Sequence, residues 1–406
     1  MGRRAPDFDG NVVMASTQPG AVARRRPRDR KQQIASAAAT LFHRYGYGNV
    51  GTGDIAETVG ITPGALYRHF PSKRDILRQA VDDVVDDVLA PVAAGDDLRD
   101  LVVALSQSLG RRRDLGILWH RESLHLDDEH RRLAQDRLQG FLDRTAEELA
   151  ALRPELNPED ACLLAWFIVS TLTSPSYHSA ELAPEQELDL LQRCALAVAT
   201  TPPLSPSELR DPTPEAGVGM THLARREGIV AAATRLFFEC GYQATSMEDV
   251  GAAVGISGAA VYKHFASKSE LLAATIARAA EPLQLGLTRA LSVAQTAEQA
   301  LTGALDEYIA FATVHHHLLG ILVSEVTNLP DAMRHNVRRQ QAGYVAEWVR
   351  LLCESRPELD AIRARYVVQS VLTTVNDATR VDRIRSHPDL APRLRQVGLR
   401  LLRVEL

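Results

Sequence analysis

Two short stretches of the chain set a tyrosine, a cation and a histidine side by side with a lysine just beyond: Tyr67, Arg68, His69 and Lys73, and again Tyr262, Lys263, His264 and Lys268. A phenol and a cation in succession reach phosphate oxygens or base edges, so the chemistry is recognition of a nucleic-acid duplex. Other suggestive groupings do not assemble into sites. Gly46, Gly48 and Gly51 spell G-x-G-x-x-G, but a dinucleotide fingerprint follows a strand and opens a long helix. Here it follows an apolar stripe of helical spacing. His315, His316 and His317 are consecutive, and neighbours on a helix splay by about 100°, so they cannot all face one ion. Cys162, Cys194, Cys240 and Cys353 stand singly with no C-x-x-C pair, which indicates neither a disulfide framework nor a zinc site. No enzyme, cofactor or metal is expected.

Short helices must position these residues. Ile34, Ala38, Leu41, Phe42 and Tyr45 recur at helical spacing and form one apolar stripe that Gly46 ends. A short helix around Ile55 and Val59 stops at Gly60, and the next starts almost at once. Thr62 is placed to cap it, Pro63 suits its first position, and Ile61 can staple against Leu66. Two short helices joined through a glycine form a helix-turn-helix, whose second member lies in the major groove. At 100° per residue, Leu66 and Phe70 share the core side, and Gly64, Ala65, Tyr67 and Arg68 face outward. Small residues at the front of this face let the backbone approach DNA. His69 falls at its edge. Ser72 then caps a fourth helix with Asp75 in capping-box position, and Lys73 in its first turn opposes the helix dipole unless a phosphate binds there.

The pattern occurs twice. Residues 34–77 align without a gap on residues 229–272 at a constant offset of 195, with 18 of 44 positions identical, which makes the second stretch a duplicate of the first. Ser257 replaces Thr62 as cap, and the outer face becomes Ala259, Ala260, Tyr262 and Lys263, with His264 at the edge. Weaker echoes, RPEL at Arg153 and Arg356 and LGIL at Leu115 and Leu319, extend the duplication to whole domains. One difference stands out at the start of helix two. The second copy reads TSMED, with Thr245 and Glu248 as the expected capping box, whereas the first reads VGTGD and Val50 cannot cap. A softer first head is expected, offset by a basic arm of Arg24, Arg25, Arg26, Arg28, Arg30 and Lys31 that can contact phosphates.

GALYRHFPSK and GAAVYKHFASK, with GY at the end of helix one, resemble the recognition helix and helix-four start of the TetR family of bacterial regulators. That resemblance implies an all-α fold of two tandem modules, each an N-terminal helix-turn-helix domain followed by a helical ligand-binding and dimerisation-like domain, closing into an intramolecular pseudo-dimer. It also implies a repressor that leaves double-stranded operator DNA when a small molecule binds. The two-copy layout is similar to tandem mycobacterial members, for which lipid, acyl-CoA or sterol effectors and lipid-related genes are implied. Because the heads differ at four outer positions, the operator is expected to be asymmetric. The competing reading is an interaction protein whose helix-turn-helix copies no longer bind DNA.

The expected organisation is a disordered segment 1–23, a first reading head 24–77, a helical regulatory domain 78–200, a Pro-rich linker 201–220, a second head 221–271 and a second regulatory domain 272–406. A net charge of −5 argues against indiscriminate coating of nucleic acid, so binding must come from local basic patches. No run approaches the roughly 18 apolar residues of a membrane span, and a cytoplasmic location without membrane contact is expected. Asp82, Asp83, Asp86 and Asp87 read as a solvated helix face, and Leu163, Leu164, Phe167, Ile168 and Leu172 as ordinary core. Trp119, His120, Glu122, Glu325 and Asn328 are placed in packing or surface roles rather than in a ligand pocket. Further self-association is left open.

Overall fold

The computed structural model describes residues 27–89, 97–110, 112–205 and 224–406. Arg24, Arg25 and Arg26, the side chain of Arg28, segment 1–23 and most of the linker therefore lie outside the described residues. The described chain is all-helical. The first module holds α1 (Pro27–Tyr45), α2 (Thr52–Val59), α3 (Pro63–Tyr67), α4 (Lys73–Leu89), α5 (Leu98–Leu109), α6 (Leu115–His120), α7 (Asp128–Leu152), α8 (Pro158–Thr173) and α9 (Pro184–Ala199). The second holds α10 (Arg225–Cys240), α11 (Met247–Ala253), α12 (Gly258–Val261), α13 (Lys268–Val293), α14 (Ala297–Val314), α15 (His316–Ser324), α16 (Asp331–Ser355), α17 (Ala361–Arg380), α18 (Asp382–Arg385) and α19 (Leu390–Leu402).

The α1 stripe packs as its spacing demands, with Ile34, Ala38 and Phe42 at 0% exposure. Tyr45 departs from it: the ring is 47% exposed, with the Arg44 guanidinium 5.3 Å from its centroid. The stripe ends a turn earlier than expected because Gly46 redirects the chain at once. The two boundaries expected at 77/78 and 271/272 fall inside α4 and α13, which run unbroken from head to regulatory domain. Each head therefore shares one continuous helix with the bundle behind it. The aspartates of α4 are more engaged than a solvated face: Arg112 pairs with Asp87 at 2.6 Å, Arg137 pairs with Asp86, and Gln79 donates to Asp83 at 2.8 Å. Burial raises the Asp82 and Asp83 carboxyl pKa values.

The modules join through α8 and α9 of the first and α17 and α19 of the second, under one continuous apolar core that includes Leu163, Leu164, Phe167, Ile168 and Leu172. Equivalent residues meet across this seam, as a two-fold dimer interface requires. Thr171 and Thr374, 203 positions apart, bring their hydroxyls to 3.3 Å, and one turn away Ser174 meets Ser370, 196 positions on and so outside the equivalent register, at 3.1 Å. Arg153 donates to the Ala199 and Thr201 carbonyls, and Arg356 to those of Leu402 and Val404, again 203 positions on. The duplication seen in the RPEL echo is thus structural.

Candidate nucleic-acid interface

The second helix of each helix-turn-helix is short, and its cap is the one the sequence dictates. The Ala65 N–H donates to Thr62 Oγ1 at 3.2 Å, and the Ala260 N–H to Ser257 Oγ at 3.3 Å. Gly60 and Gly255, at φ 71° and 69°, make the tight turn that precedes each, a conformation that strains any side chain. Leu66, Phe70, Val261 and Phe265 are buried. On the opposite face Thr62, Gly64, Arg68, Ser257, Ala259, Lys263 and His264 are exposed, Tyr67 and Tyr262 are each 51% exposed, and His69 is half-buried. The two tyrosines have different surroundings. The Tyr67 hydroxyl lies 3.2 Å from Thr52 Oγ1 on α2, whereas Met247 occupies the matching position in α11 and leaves Tyr262 without that partner.

Lys73 and Lys268 are half-buried rather than free. Each ammonium sits over the tyrosine that follows the helix-one glycine, 4.0 Å from the Tyr47 centroid and 4.3 Å from that of Tyr242. Lys73 donates to the Tyr47 carbonyl and Lys268 to that of Gln243 at 3.3 Å. Burial lowers both pKa values, against the fields of Glu122 and Glu325. An ammonium has three N–H donors, so each lysine fastens helix four to the end of helix one and keeps donors for a phosphate. Of the basic arm, the Lys31 ammonium stands 5.6 Å from the Phe70 centroid. Its counterpart Arg226 sits 4.5 Å from that of Phe265. Arg30 is half-buried at the start of α1.

Thr245 is a correction. It is 3% exposed and donates inward to the Gly241 carbonyl at 2.9 Å, so it neither caps α11 nor faces DNA. The cap lies one residue later. Ser246 Oγ accepts from the Asp249 N–H at 3.1 Å, and the Asp249 carboxylate accepts from the Ser246 N–H at 2.7 Å. In the first head the Asp54 carboxylate accepts from the Gly51 N–H at 2.7 Å. Half of the box survives there, and glycine cannot supply the other half. With glycine at the cap, losing the hydroxyl half costs a few tenths of a kcal/mol. In free protein, amides of Thr52–Val59 are expected to show protection factors about 2-fold lower than those of Met247–Val254. Equal protection in hydrogen exchange would show that packing compensates for the cap.

Sequence reasoning missed what holds the heads in place. Arg121 is buried, donates to the Phe42 and His43 carbonyls at 2.7 and 3.0 Å, and pairs with buried Glu122, whose carboxylate accepts the Tyr47 N–H at 2.9 Å. The second module keeps the acid, as Glu325, but has Ser324 in place of the arginine. Glu325 is 3% exposed and accepts from Asn328 Nδ2 at 2.6 Å. Asn328 in turn accepts from Gln243 at 2.9 Å, and Asn49 of the first head donates to the Thr327 carbonyl at 3.1 Å. The first head is thus braced against the bundle of the second module. No local pattern marks the contacts that reach the heads, because their partners lie 75 to 278 residues apart.

Burial pushes the Glu325 carboxyl up to about 6, against the lowering effects of Asn328, Arg121 and Arg380. The folded chain then holds a proton between pH 4.5 and 6 that an unfolded glutamate has lost, so stability falls as pH rises through that window and stays low above it. Glu325→Gln is expected to stabilise the protein by about 1–2 kcal/mol at pH 8 and by little below pH 4.5. Urea denaturation at the two pH values checks this, and an equal effect at both would remove the titration as its cause.

Residues 34–80 and 229–275 carry this geometry. Both match the tetR family of bacterial regulatory proteins. The chain is also 32% identical over 87 residues to the transcriptional activator FasR of Mycolicibacterium smegmatis, covering 21% of this chain and 40% of that protein. The transcriptional repressor KstR2 of Rhodococcus jostii is 39% identical over 80 residues, 19% of this chain and 39% of that protein. The chain thus spans about 40% of the length of these curated relatives. Among solved structures, the ketosteroid regulator KstR2 of Mycobacterium tuberculosis aligns with 45% of this chain and 94% of its own at 22% identity and a TM-score of 0.38. Among the described residues no helix is long and apolar enough to cross a membrane. The Gly46–Gly51 triplet follows helix α1, outside any strand-to-helix setting.

Proposed function

We propose that this chain is a transcriptional regulator in which one polypeptide supplies both reading heads of a family dimer and binds double-stranded operator DNA. The observation that carries this reading is the pair of tetR-type heads, each exposing a tyrosine and a cation, on two modules joined where equivalent residues meet. A two-fold dimer reads a palindrome because its helices are identical. Here Pro63 against Gly258, Gly64 against Ala259 and Arg68 against Lys263 make the half-sites unlike. Footprinting should show two different half-sites, and light scattering one chain per minimal operator. Two chains on a perfect palindrome, each using one head, would refute the single-chain dimer.

Repression is the favoured sign, on the likeness to the KstR2 repressors and on the similarity of the tandem layout to the repressor of a mammalian-cell-entry operon in mycobacteria. Lipid-related target genes and a small hydrophobic or acyl-CoA-like effector follow from the same likeness. A cavity of about 730 Å³ between the second regulatory bundle and the first module suits such an effector. Its wall includes Thr40 and His43 of α1 and Leu283 of α13, so one occupant touches helices of both heads. A cytoplasmic location follows from the proposed work on DNA, and further self-association is not needed for it.

A further inference from the structure

The cavity has a charge pattern that narrows what can fill it. Leu283, Leu319, Leu322, Val345 and Leu372 give it an apolar body. Arg365 from α17, Arg338 from α16 and Arg44 from α1 also line it, and no carboxylate pairs with any of the three among the described residues. Arg113 is already held by Glu187 at 2.7 Å and by the Tyr366 hydroxyl. The wall carries one acid, Asp377, which lies 3.4 Å from the His120 imidazole.

Position along α17 separates these groups. Arg365 and Asp377 are 12 residues apart on one helix, which at 1.5 Å per residue is about 18 Å. Gln369, Leu372, Thr373 and Asn376 line the stretch between. The Asp377 end lies toward the heads, since Arg380 one turn on donates to the His120 and Gly320 carbonyls. The Arg365 end, one turn from the start of α17, lies away from the heads and lines the cavity together with His178 of the first module. There the His178 Nδ1 accepts the Ala180 N–H at 3.2 Å, which leaves the proton on Nε2, and Nε2 has no acceptor. An unpaired guanidinium and an orphan N–H side by side form a donor cluster with nothing to receive it, a cost that an oxygen anion removes. Burial and the nearby Arg113 and Arg365 hold the His178 pKa down at about 4, so the ring stays a neutral donor at physiological pH.

Resting on the effector reading above, we infer that the cavity binds an amphipathic carboxylate, with the carboxylate seated on Arg365 beside His178 and the apolar body extending along α17 toward the two heads. The seat is composite, because Arg365 belongs to the second module and His178 to the first. A single occupant therefore bridges the seam. A free acid and its coenzyme A thioester share the apolar body but use different cations: the thioester has no carboxylate for Arg365, and its phosphates would fall on Arg338 and Arg44.

Titration calorimetry of the full chain with laurate, lauryl alcohol and lauroyl-coenzyme A tests this. Laurate is expected to bind one molecule per chain and at least about 10-fold more tightly than the alcohol. Arg365→Gln should weaken laurate by about 10- to 100-fold, the worth of a hydrogen bond to a charged group, and leave the alcohol unchanged. Arg365→Lys should recover part of the loss, and unchanged melting temperatures of both ligand-free variants would show that folding is intact. Equal binding of alcohol and acid, no effect of Arg365→Gln, or tight binding of the thioester alone with loss on Arg338→Gln would each overturn the seat. Laurate that binds as expected without releasing operator DNA would leave the seat standing and overturn the effector reading instead.

Discussion

Asp160→Ala is expected to destabilise the protein by about 3–5 kcal/mol, the cost of leaving a buried charge without its partner. The charge is Arg393 on α19, 1% exposed, which pairs with Asp160 on α8 across the seam between modules. Its other donors reach the Pro202 carbonyl at 2.8 Å and Gln396 at 3.0 Å, while Nε has no partner. Without the carboxylate the guanidinium keeps one carbonyl and one amide to offset its lost hydration. Replacing both residues by apolar ones, Asp160→Leu with Arg393→Met, removes the charge with its partner and should recover most of the loss. A denaturation double-mutant cycle measures the coupling. A single-mutant loss below about 1 kcal/mol would mean that water reaches the guanidinium and that the seam is looser than its burial indicates.

Disabling one head should lower operator affinity by about 10²- to 10⁴-fold, because the second head then loses the gain of binding within the same molecule. Tyr67→Ala with Arg68→Ala should do this at one half-site, and Tyr262→Ala with Lys263→Ala at the other. Each pair is exposed and outside the core, so folding should be unaffected. Lys73→Ala and Lys268→Ala should act differently, weakening binding on all sequences and flattening the salt dependence by about one unit each. Fluorescence anisotropy across a salt series separates the two classes. If one head's double substitution leaves affinity unchanged, that head does not bind DNA and the regulator reads a single half-site.

The heads were legible because their signals are local. A cap, a glycine turn and an apolar period all act within a few residues, so Thr62, Gly60 and the Leu66–Phe70 core face could be read without knowing what surrounds them. The same reasoning misassigned Thr245. Two hydroxyl residues stand together before α11, and only the packed Gly241 carbonyl decides that Thr245 turns inward and Ser246 caps. Lys73 and Lys268 were placed correctly in the first turn of helix four, but their seats over Tyr47 and Tyr242 depend on how that helix docks against the end of helix one.

The sequence by itself determined that the chain is helical, duplicated and equipped with two helix-turn-helix units, because periodicity, capping and self-similarity are properties of neighbouring residues and of a constant offset. Only the tertiary structure decided how the copies join. The Thr171–Thr374 meeting, the buried Arg393–Asp160 pair, the Asn49–Thr327 brace and the cavity shared by Arg365 and His178 bring together residues 187 to 278 positions apart. Such contacts are selected by shape and burial across a whole interface, and no short stretch of chain encodes them.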